Sequence, residues 1–354
     1  MSLSATNRIK VEVSDDVPNY DAIIELCEST GGGTLAPSQL PVWPAILQEG
    51  LSHRPFWLTA KDDSRLAGCL PLCFVGSRLF GRFLVSLPYL NSAGVVATSD
   101  DAAEAHIDRA VALADELDVR YLELRHERRV AHPALGGEAT SKVHMRLALP
   151  NSADALWDQL KAKVRNQVRK GREPGFEVRW GGAERLKEFY DVFSRNMRDL
   201  GTPVYSRRLF AAIIERCAGA AEFCIVSHGA KPIAAALLVH GRGVTEVPSA
   251  SSLREYNSAN ANMLMYWHLL ERAIERGQRV FDFGRSTLDG NTFRFKKQWG
   301  AEPHPAVWQY YVRHGAVGDM RPDNGRYQRM IRTWQRLPVW ATRWLGPLVV
   351  RGIP

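Results

Sequence analysis

The densest gathering of groups able to do chemistry lies in residues 281–302, "FDFGRSTLDGNTFRFKKQWGAE". Asp282 sits between two phenylalanines, Gly284 closes the apolar run, and Ser286, Thr287, Asp289, Gly290, Asn291 and Thr292 supply turn chemistry. Arg294, Lys296 and Lys297 then fall among Phe293, Phe295 and Trp299. Read as extended chain, this places Lys296 and Lys297 on opposite faces. Two readings are open. One is an amphipathic edge strand with solvated basic residues. The other is a lysine in a partly dry pocket, aimed at a point where negative charge develops. Amine attack on an activated carbonyl needs such a donor, and donors aimed at an oxyanion are worth ~3–4 kcal/mol each. Lys296 is the candidate donor, with Phe295 holding its geometry. The amine must also be neutral. Asp282 is a candidate general base, although it also reads as a carboxylate satisfying the nearby turn. Glu246, in "TEVPSASS", is the other, and a substrate-assisted reaction needs no protein base.

Two further stretches suit anions. In "SLREYNSANAN" the chain enters a long helix, and helix N-termini favour negative charge. Arg254, Tyr256, Asn260 and Asn262 are binding candidates there, while Ser258 or Asn260 could be ordinary caps. In "KAKVRNQVRKGR", residues 161–172, Val164 and Val168 mark a buried stripe. Arg165, Arg169 and Arg172 form a ridge that Lys163 and Lys170 extend. That ridge is either a solvated face or one turned to phosphate or RNA.

The elements that must position these groups read as a repeat. "FWLTAKDDSRLAGCLPLCFV" and "EFCIVSHGAKPIAAALLVHG" each read as strand, polar turn, strand. Each is followed by further strand, a long helix (near residues 101–117 and 259–276) and a strand ("VRYLELR", "VFDFG"). Met263, Tyr266, Trp267, Leu270 and Ile274 recur at helical spacing. Asn151 or Ser152 can cap a helix starting near Ala153. The expected fold class is α/β with mixed sheets: an N-terminal domain over 1–149 and a C-terminal domain over 150–316. An Arg/Trp-rich tail follows over 317–354, in which Pro338 separates two short helices. The tail reads either as an interfacial helix, with Trp334, Trp340 and Trp344 against Arg332, Arg336 and Arg343, or as a segment packed on the second domain.

The 354 residues suit about two domains, and a formal charge of +8 with a pI near 9.3 favours an anionic partner. Five cysteines without a CxxC pair, among them Cys69 and Cys73 on one face of a strand, read as small buried hydrophobes in a reduced, cytoplasmic setting. The N-terminal "MSLSATNRIKVEVSDD" has no apolar core of a signal peptide, and no run is long enough to span a bilayer. P-loop, dinucleotide-fold, GxSxG and HExxH patterns are absent, so the common nucleotide, serine-hydrolase and zinc-protease readings lose support.

Four passages, "AKVRNQVRKGREPGFEVRWGG", "FSRNMRDLGTPVYSRRLF", "KPIAAALLVHGRGVTEVPSASSLREYNSANANMLMYWHLLERAIERG" and "VFDFGRSTLDGNTFRFKKQWGAEP", resemble the Fem family of peptidoglycan-bridge aminoacyltransferases within the GNAT-like N-acyltransferase superfamily. They are most similar to the FemAB-related branch associated with PEP-CTERM/exosortase systems. The resemblance runs from about residue 34 to 311 and is densest in the second half. It implies two tandem GNAT-like acyltransferase domains. It also implies transfer of an acyl or aminoacyl group to an amine of a cell-envelope, peptidoglycan or exopolysaccharide precursor. A Phe-Lys pair near the reacting carbonyl would be Phe295 and Lys296, and Tyr205 in "GTPVYSRR" joins the substrate-binding candidates. The donor would be acyl-CoA or aminoacyl-tRNA, without a metal. Neither the helical hairpin arm common among aminoacyl-tRNA users nor a glycine-rich pyrophosphate loop is recognisable, so both donors stay open. Implied partners are an anionic or lipid-linked glycan precursor, tRNA if it carries the donor, and the inner membrane through the tail. The alternative is a catalytically silent module of the same fold that binds a glycan precursor or a protein.

Overall fold

The computed structural model describes residues 9–62, 65–315 and 325–354, the last stretch with side chains from 330 onward. The extreme N-terminus, two residues of the first hairpin tip and the beginning of the tail lie outside the described residues.

The first half contains β1 (Val11–Ser14), β2 (Arg54–Asp62), β3 (Arg65–Ser77), β4 (Gly81–Val85), β5 (Val96–Ala97), β6 (Tyr121–His126) and β7 (Gly137–Ala139), with helices α1 (Tyr20–Thr30), α2 (Trp43–Leu51) and α3 (Asp100–Glu116). The second half contains β8 (Lys142–Ala148), β9 (Glu177–Gly181), β10 (Ala221–His228), β11 (Lys231–His240), β12 (Val244–Ser252), β13 (Val280–Thr287), β14 (Glu302–Pro305) and β15 (Val307–Val312). Its helices are α4 (Ala153–Gln159), α5 (Ala162–Arg172), α6 (Leu186–Leu200), α7 (Arg207–Arg216), α8 (Ala261–Glu275) and α9 (Asn291–Lys297), followed in the tail by α10 (Gly325–Arg336) and α11 (Val339–Val350).

Two mixed sheets result. One runs β1-β2-β3-β4-β6-β15-β7 with β5 beside β3, the other β14-β8-β13-β12-β11-β10-β9. The expected repeat is present in both. Hairpin β2–β3, β4, α3 and β6 correspond to hairpin β10–β11, β12, α8 and β13. In each unit the strand after the long helix lies parallel to the strand before it: β6 beside β4, and β13 beside β12. Ser99 caps α3 and Ser152 caps α4, the latter by accepting from the Ala155 N–H at 3.1 Å.

The sheets do not divide at residue 149. β8 pairs with β13 and β14 in the second sheet, whereas β15 returns to pair with β6 and β7 in the first. The strand just before residue 149 thus belongs to the second sheet, and the last strand of the second half returns to the first. Side-chain alternation cannot reveal this, because it records which face is buried and not which sheet does the burying.

One hydrophobic cluster joins the halves, with Trp43, Ile46 and Leu47 of α2 packed among Phe189, Phe210 and Phe223. The close point of that contact is Gly50. A Cβ there would lie 2.5 Å from Leu209 Cα, and the Gly50 carbonyl accepts from Ser206 Oγ at 2.7 Å. Gly50→Ala must therefore separate α2 from α7. An overpacked contact of this kind costs about 1–3 kcal/mol, so a urea or thermal melt of the variant is expected to show clear destabilisation.

Candidate active site

β12 and β13 pair only through Val244–Val280, Thr245–Phe281 and Glu246–Asp282. Beyond these residues β12 stays with β11 and β13 with β8, so the two strands part. β12 alternates, with Thr245, Val247, Ser249 and Ser251 buried and Glu246 and Pro248 half-open. In β13 the register slips between Asp282 and Arg285, and Gly284 takes φ +76°, a left-handed conformation that favours glycine. The bulge turns the strand at the place where the sheet opens.

A row of charge crosses the second sheet at this opening. Arg146 of β8 donates to Asp282 Oδ2 at 2.8 Å and reaches both oxygens of Glu127 at 2.8 and 2.6 Å. Asp282 also accepts the Gly284 N–H at 2.7 Å and faces His144 Nδ1 at 3.8 Å. Asp282 is thus tied on one oxygen to Arg146 and on the other to the turn at Gly284. Glu246 differs. Its described hydrogen bonds come from Ser38, through Oγ at 3.0 Å and the backbone N–H at 3.4 Å. Burial, with the Asp282 carboxylate beside it, pushes the Glu246 carboxyl up to about 8. An acid tuned to that range is suited to proton transfer.

Lys296 lies on a helix, not on an extended segment. Phe293, Lys296 and Trp299 are the buried members of this stretch, a three-residue repeat. The alternation of Phe293 and Phe295 is incidental. Lys296 Nζ donates to the carbonyls of Gly284 and Arg285, each at 3.0 Å. Burial pushes its ammonium down to about 8, against the opposing pull of Asp282. Lys297 is exposed, with Nζ 5.6 Å from the Phe293 ring centroid. The two lysines differ in burial, and helical rotation, not strand alternation, separates them. Phe295 packs edge-on against Tyr266 at 4.9 Å and belongs to the core beneath the second sheet. It seats α9 on α8.

The opening is walled by Tyr89, Leu90, Asn91 and Ser92 from the first unit and by His144, Glu246, Pro248, Asp282 and Gly284 from the second. Lys296 meets it through Gly284, the wall residue whose carbonyl it holds. The first-unit wall is strained: Leu87 and Tyr89 have φ +52° and +78°. Arg125 clamps it, donating to the Leu90 carbonyl at 2.5 Å while paired with Glu123 at 2.7 Å. Ser92 also borders a larger cavity of about 760 Å³, lined among others by Ser38, Gln39, His126, Glu127, Arg128 and Arg146. Among the described residues, no group of three or more His, Cys, Asp or Glu converges as a metal site would require.

The remaining candidates lie elsewhere. Arg254 donates to the Asp199 carbonyl at 2.7 Å, and Tyr256 packs edge-on to Phe176 and His228. Asn260 begins α8 at φ 58° without a side-chain cap, and Asn262 follows in the first turn. Gly171 of α5 lies so close that a Cβ would meet the Asn260 carbonyl at 3.0 Å. The end of α5, with Arg169 and Lys170 exposed and Arg165 half-buried, is thereby carried to the start of α8. Arg169 and Arg172 lie over Trp157 at 5.5 and 5.6 Å. Tyr205 stands behind the cleft wall, its ring edge-on to Tyr89 at 5.0 Å.

Sequence reasoning missed Arg146, His144, Tyr89 and Arg285. The Arg285 guanidinium stacks on Trp308, 3.3 Å from the ring centroid, and has no hydrogen-bond acceptor among the described residues. Burial and the charge of Arg125 push it down to about 9. Alternation in "KVHMRLA" marks His144 and Arg146 as sharing a face. No local signal marks Arg285, because Trp308 reaches it from the other sheet.

Residues 158–297 match the family described as Acetyltransferase (GNAT) domain, a span that encloses Glu246, Asp282 and Lys296. No curated protein matches the chain. Among solved structures, FemX aligns over 92% of this chain and 100% of its own at 14% identity, with a TM-score of 0.64. L-PGS from Bacillus licheniformis aligns over 94% and 98% at 12% identity, TM-score 0.55. A tandem GNAT protein from the clavulanic acid biosynthesis pathway aligns over 87% and 100% at 12% identity, TM-score 0.54. Likeness at these identities speaks for architecture alone, and the architecture is that of two tandem GNAT-like domains, the second of which carries the matched acetyltransferase segment.

Proposed function

We propose that this protein is an N-acyltransferase that moves an acyl or aminoacyl group onto an amine of a cell-envelope, peptidoglycan or exopolysaccharide precursor. The observation that carries the reading is the parting of β12 and β13, with Glu246, Asp282 and the carbonyls held by Lys296 gathered around it. In the proposed reaction Glu246 takes a proton from the acceptor ammonium. The freed amine forms the C–N bond, and Lys296 donates to the oxyanion that develops. Glu246 passes this first proton to solvent and takes the second from the positive nitrogen of the tetrahedral intermediate. As the intermediate collapses, the bond to the donor's leaving group breaks, and that group departs with this second proton. The family match over this segment and the fold shared with FemX and L-PGS support an acyl-transfer reading on envelope substrates.

Acyl-CoA is the donor favoured by the GNAT match, with aminoacyl-tRNA as the second. We place donor phosphates near the start of α8, beside Arg165, Arg169 and Lys170, with Arg254, Tyr256, Asn260 and Asn262 flanking. The acceptor would occupy the larger cavity and be presented on the cytoplasmic face of the inner membrane. An exopolysaccharide precursor is the version that follows from the PEP-CTERM/exosortase resemblance. Arg285, half-buried and without a hydrogen-bonded counter-ion among the described residues, is assigned to an anionic group of the acceptor. Hydrogen bonds to charged groups are worth about 1.5–3 kcal/mol. Arg285→Gln is therefore expected to raise the acceptor KM by about 10- to 100-fold with little change in kcat, read from steady-state kinetics.

The deciding experiment incubates the purified chain with acyl-CoA or aminoacyl-tRNA and a lipid-linked glycan precursor. Release of free thiol supports the first donor, and loss of the aminoacyl ester the second. A chain that binds the precursor but consumes neither donor is a recognition module of the same fold, and the enzyme reading fails.

A further inference from the structure

α11 is only half used by the fold. On its inner side Arg343 donates to Ser194 Oγ and to Asp191 Oδ1, each at 2.8 Å, and Gly346 seats against the backbone of Val204. Its outer side carries Trp340, Trp344 and Leu348 at 73, 70 and 51% exposure. These positions are four apart and form one row along the helix. Met330 of α10 is also exposed, at 54%. Arg332, Arg336 and Arg351 are exposed, and no aspartate or glutamate occurs between residues 325 and 354. The tail is thus both docked and open. Of the residues in the interfacial reading, Trp340 and Trp344 are exposed on α11, whereas Trp334 of α10 is half-buried and Arg343 turns inward.

We propose that this outer face docks on an anionic phospholipid bilayer. Exposed tryptophans on one helical row, in a segment whose charged residues are all arginines, match the interfacial zone of a membrane. A protein partner would call for no such uniform charge. Each arginine near an anionic surface gains from the surface potential within a Debye length. Val204, on which α11 rests, precedes Tyr205, whose ring supports Tyr89 of the cleft wall. Docking would therefore hold the cleft close to lipid-linked acceptors. The inference rests on the proposed presentation of the acceptor at the inner membrane and not on the chemistry of acyl transfer.

The test uses the full chain with phosphatidylcholine vesicles prepared with and without phosphatidylglycerol, read by co-sedimentation and tryptophan emission. Wild type is expected to bind the anionic vesicles at low salt with a blue-shifted emission, and to release at high salt. The paired change Trp340→Ser and Trp344→Ser, or Arg332→Gln and Arg336→Gln, is expected to weaken partitioning by about tenfold, with circular dichroism and melting unchanged. Equal partitioning of wild type and both variants, or none by wild type, overturns the proposal. So does a dimer in light scattering that the tryptophan variant converts to monomer, which would make this face a contact between copies. None of these readouts depends on turnover, so a failed acyltransferase assay leaves them interpretable.

Discussion

Lys296→Ala is expected to lower kcat about a hundred- to a thousandfold, with donor and acceptor KM little changed. An ammonium has three donor hydrogens. Two are committed to the carbonyls of Gly284 and Arg285, at the bend where the sheet opens. In the proposed role the third donates to the oxyanion, and the two fixed carbonyl bonds limit the reorganisation this needs as charge develops. Burial lowers the ammonium only to about 8, so the cation still predominates at neutral pH. Lys297→Ala, at an exposed position of the same helix, is expected to retain wild-type turnover. Removing Lys296 also strips two carbonyls of a donor, so some stability will be lost, on the order of 1–3 kcal/mol. Lys296→Met, with melting measured beside the kinetics, separates the two effects. A folded variant that turns over within a few-fold of wild type would falsify the oxyanion role.

What could be read in the sequence follows from how local each signal is. The two hairpins, the two long helices and the two tail helices came from turn residues and periodicity within some twenty positions, and all are present. The placement of β8 and β15 has no local signature, since a strand's own residues record burial and not which sheet it joins. The segment containing Lys296 was misread because two aromatic periods coexist there. Phe293 and Phe295 suggest a strand, while Phe293, Lys296 and Trp299 make the helix, and a lysine is not expected among the buried positions of such a pattern. For the site, Lys296, Asp282 and Glu246 stood out by residue type. Their different surroundings did not, because the partners lie far along the chain: Arg146 for Asp282 and Ser38 for Glu246. Arg285 was hidden for the same reason.

The largest effect after Lys296 is expected at Glu246. General-base catalysis contributes about 10²–10⁴-fold, and Glu246→Gln should lose an amount in that range while Ser38 can still hydrogen-bond the amide. The pH dependence gives the sharper test. Glu246 accepts a proton only when ionised, so its contribution rises as pH passes through about 8. Lys296 stabilises an oxyanion only when protonated, so its contribution falls as pH passes through about 8. The product is a bell in kcat/KM with its maximum close to pH 8 and both limbs near it. Asp282 acts on each limb. Its negative charge raises the Glu246 carboxyl and also supports the Lys296 ammonium. Asp282→Asn should therefore move both limbs to lower pH, shifting the whole bell in one direction, whereas loss of the fold would lower its height without moving it. Glu246→Gln should flatten the acid limb and leave the alkaline limb in place. If the acid limb persists in that variant at its original position, the proton leaves by another route, through the acceptor or donor itself, and Glu246 is not the base.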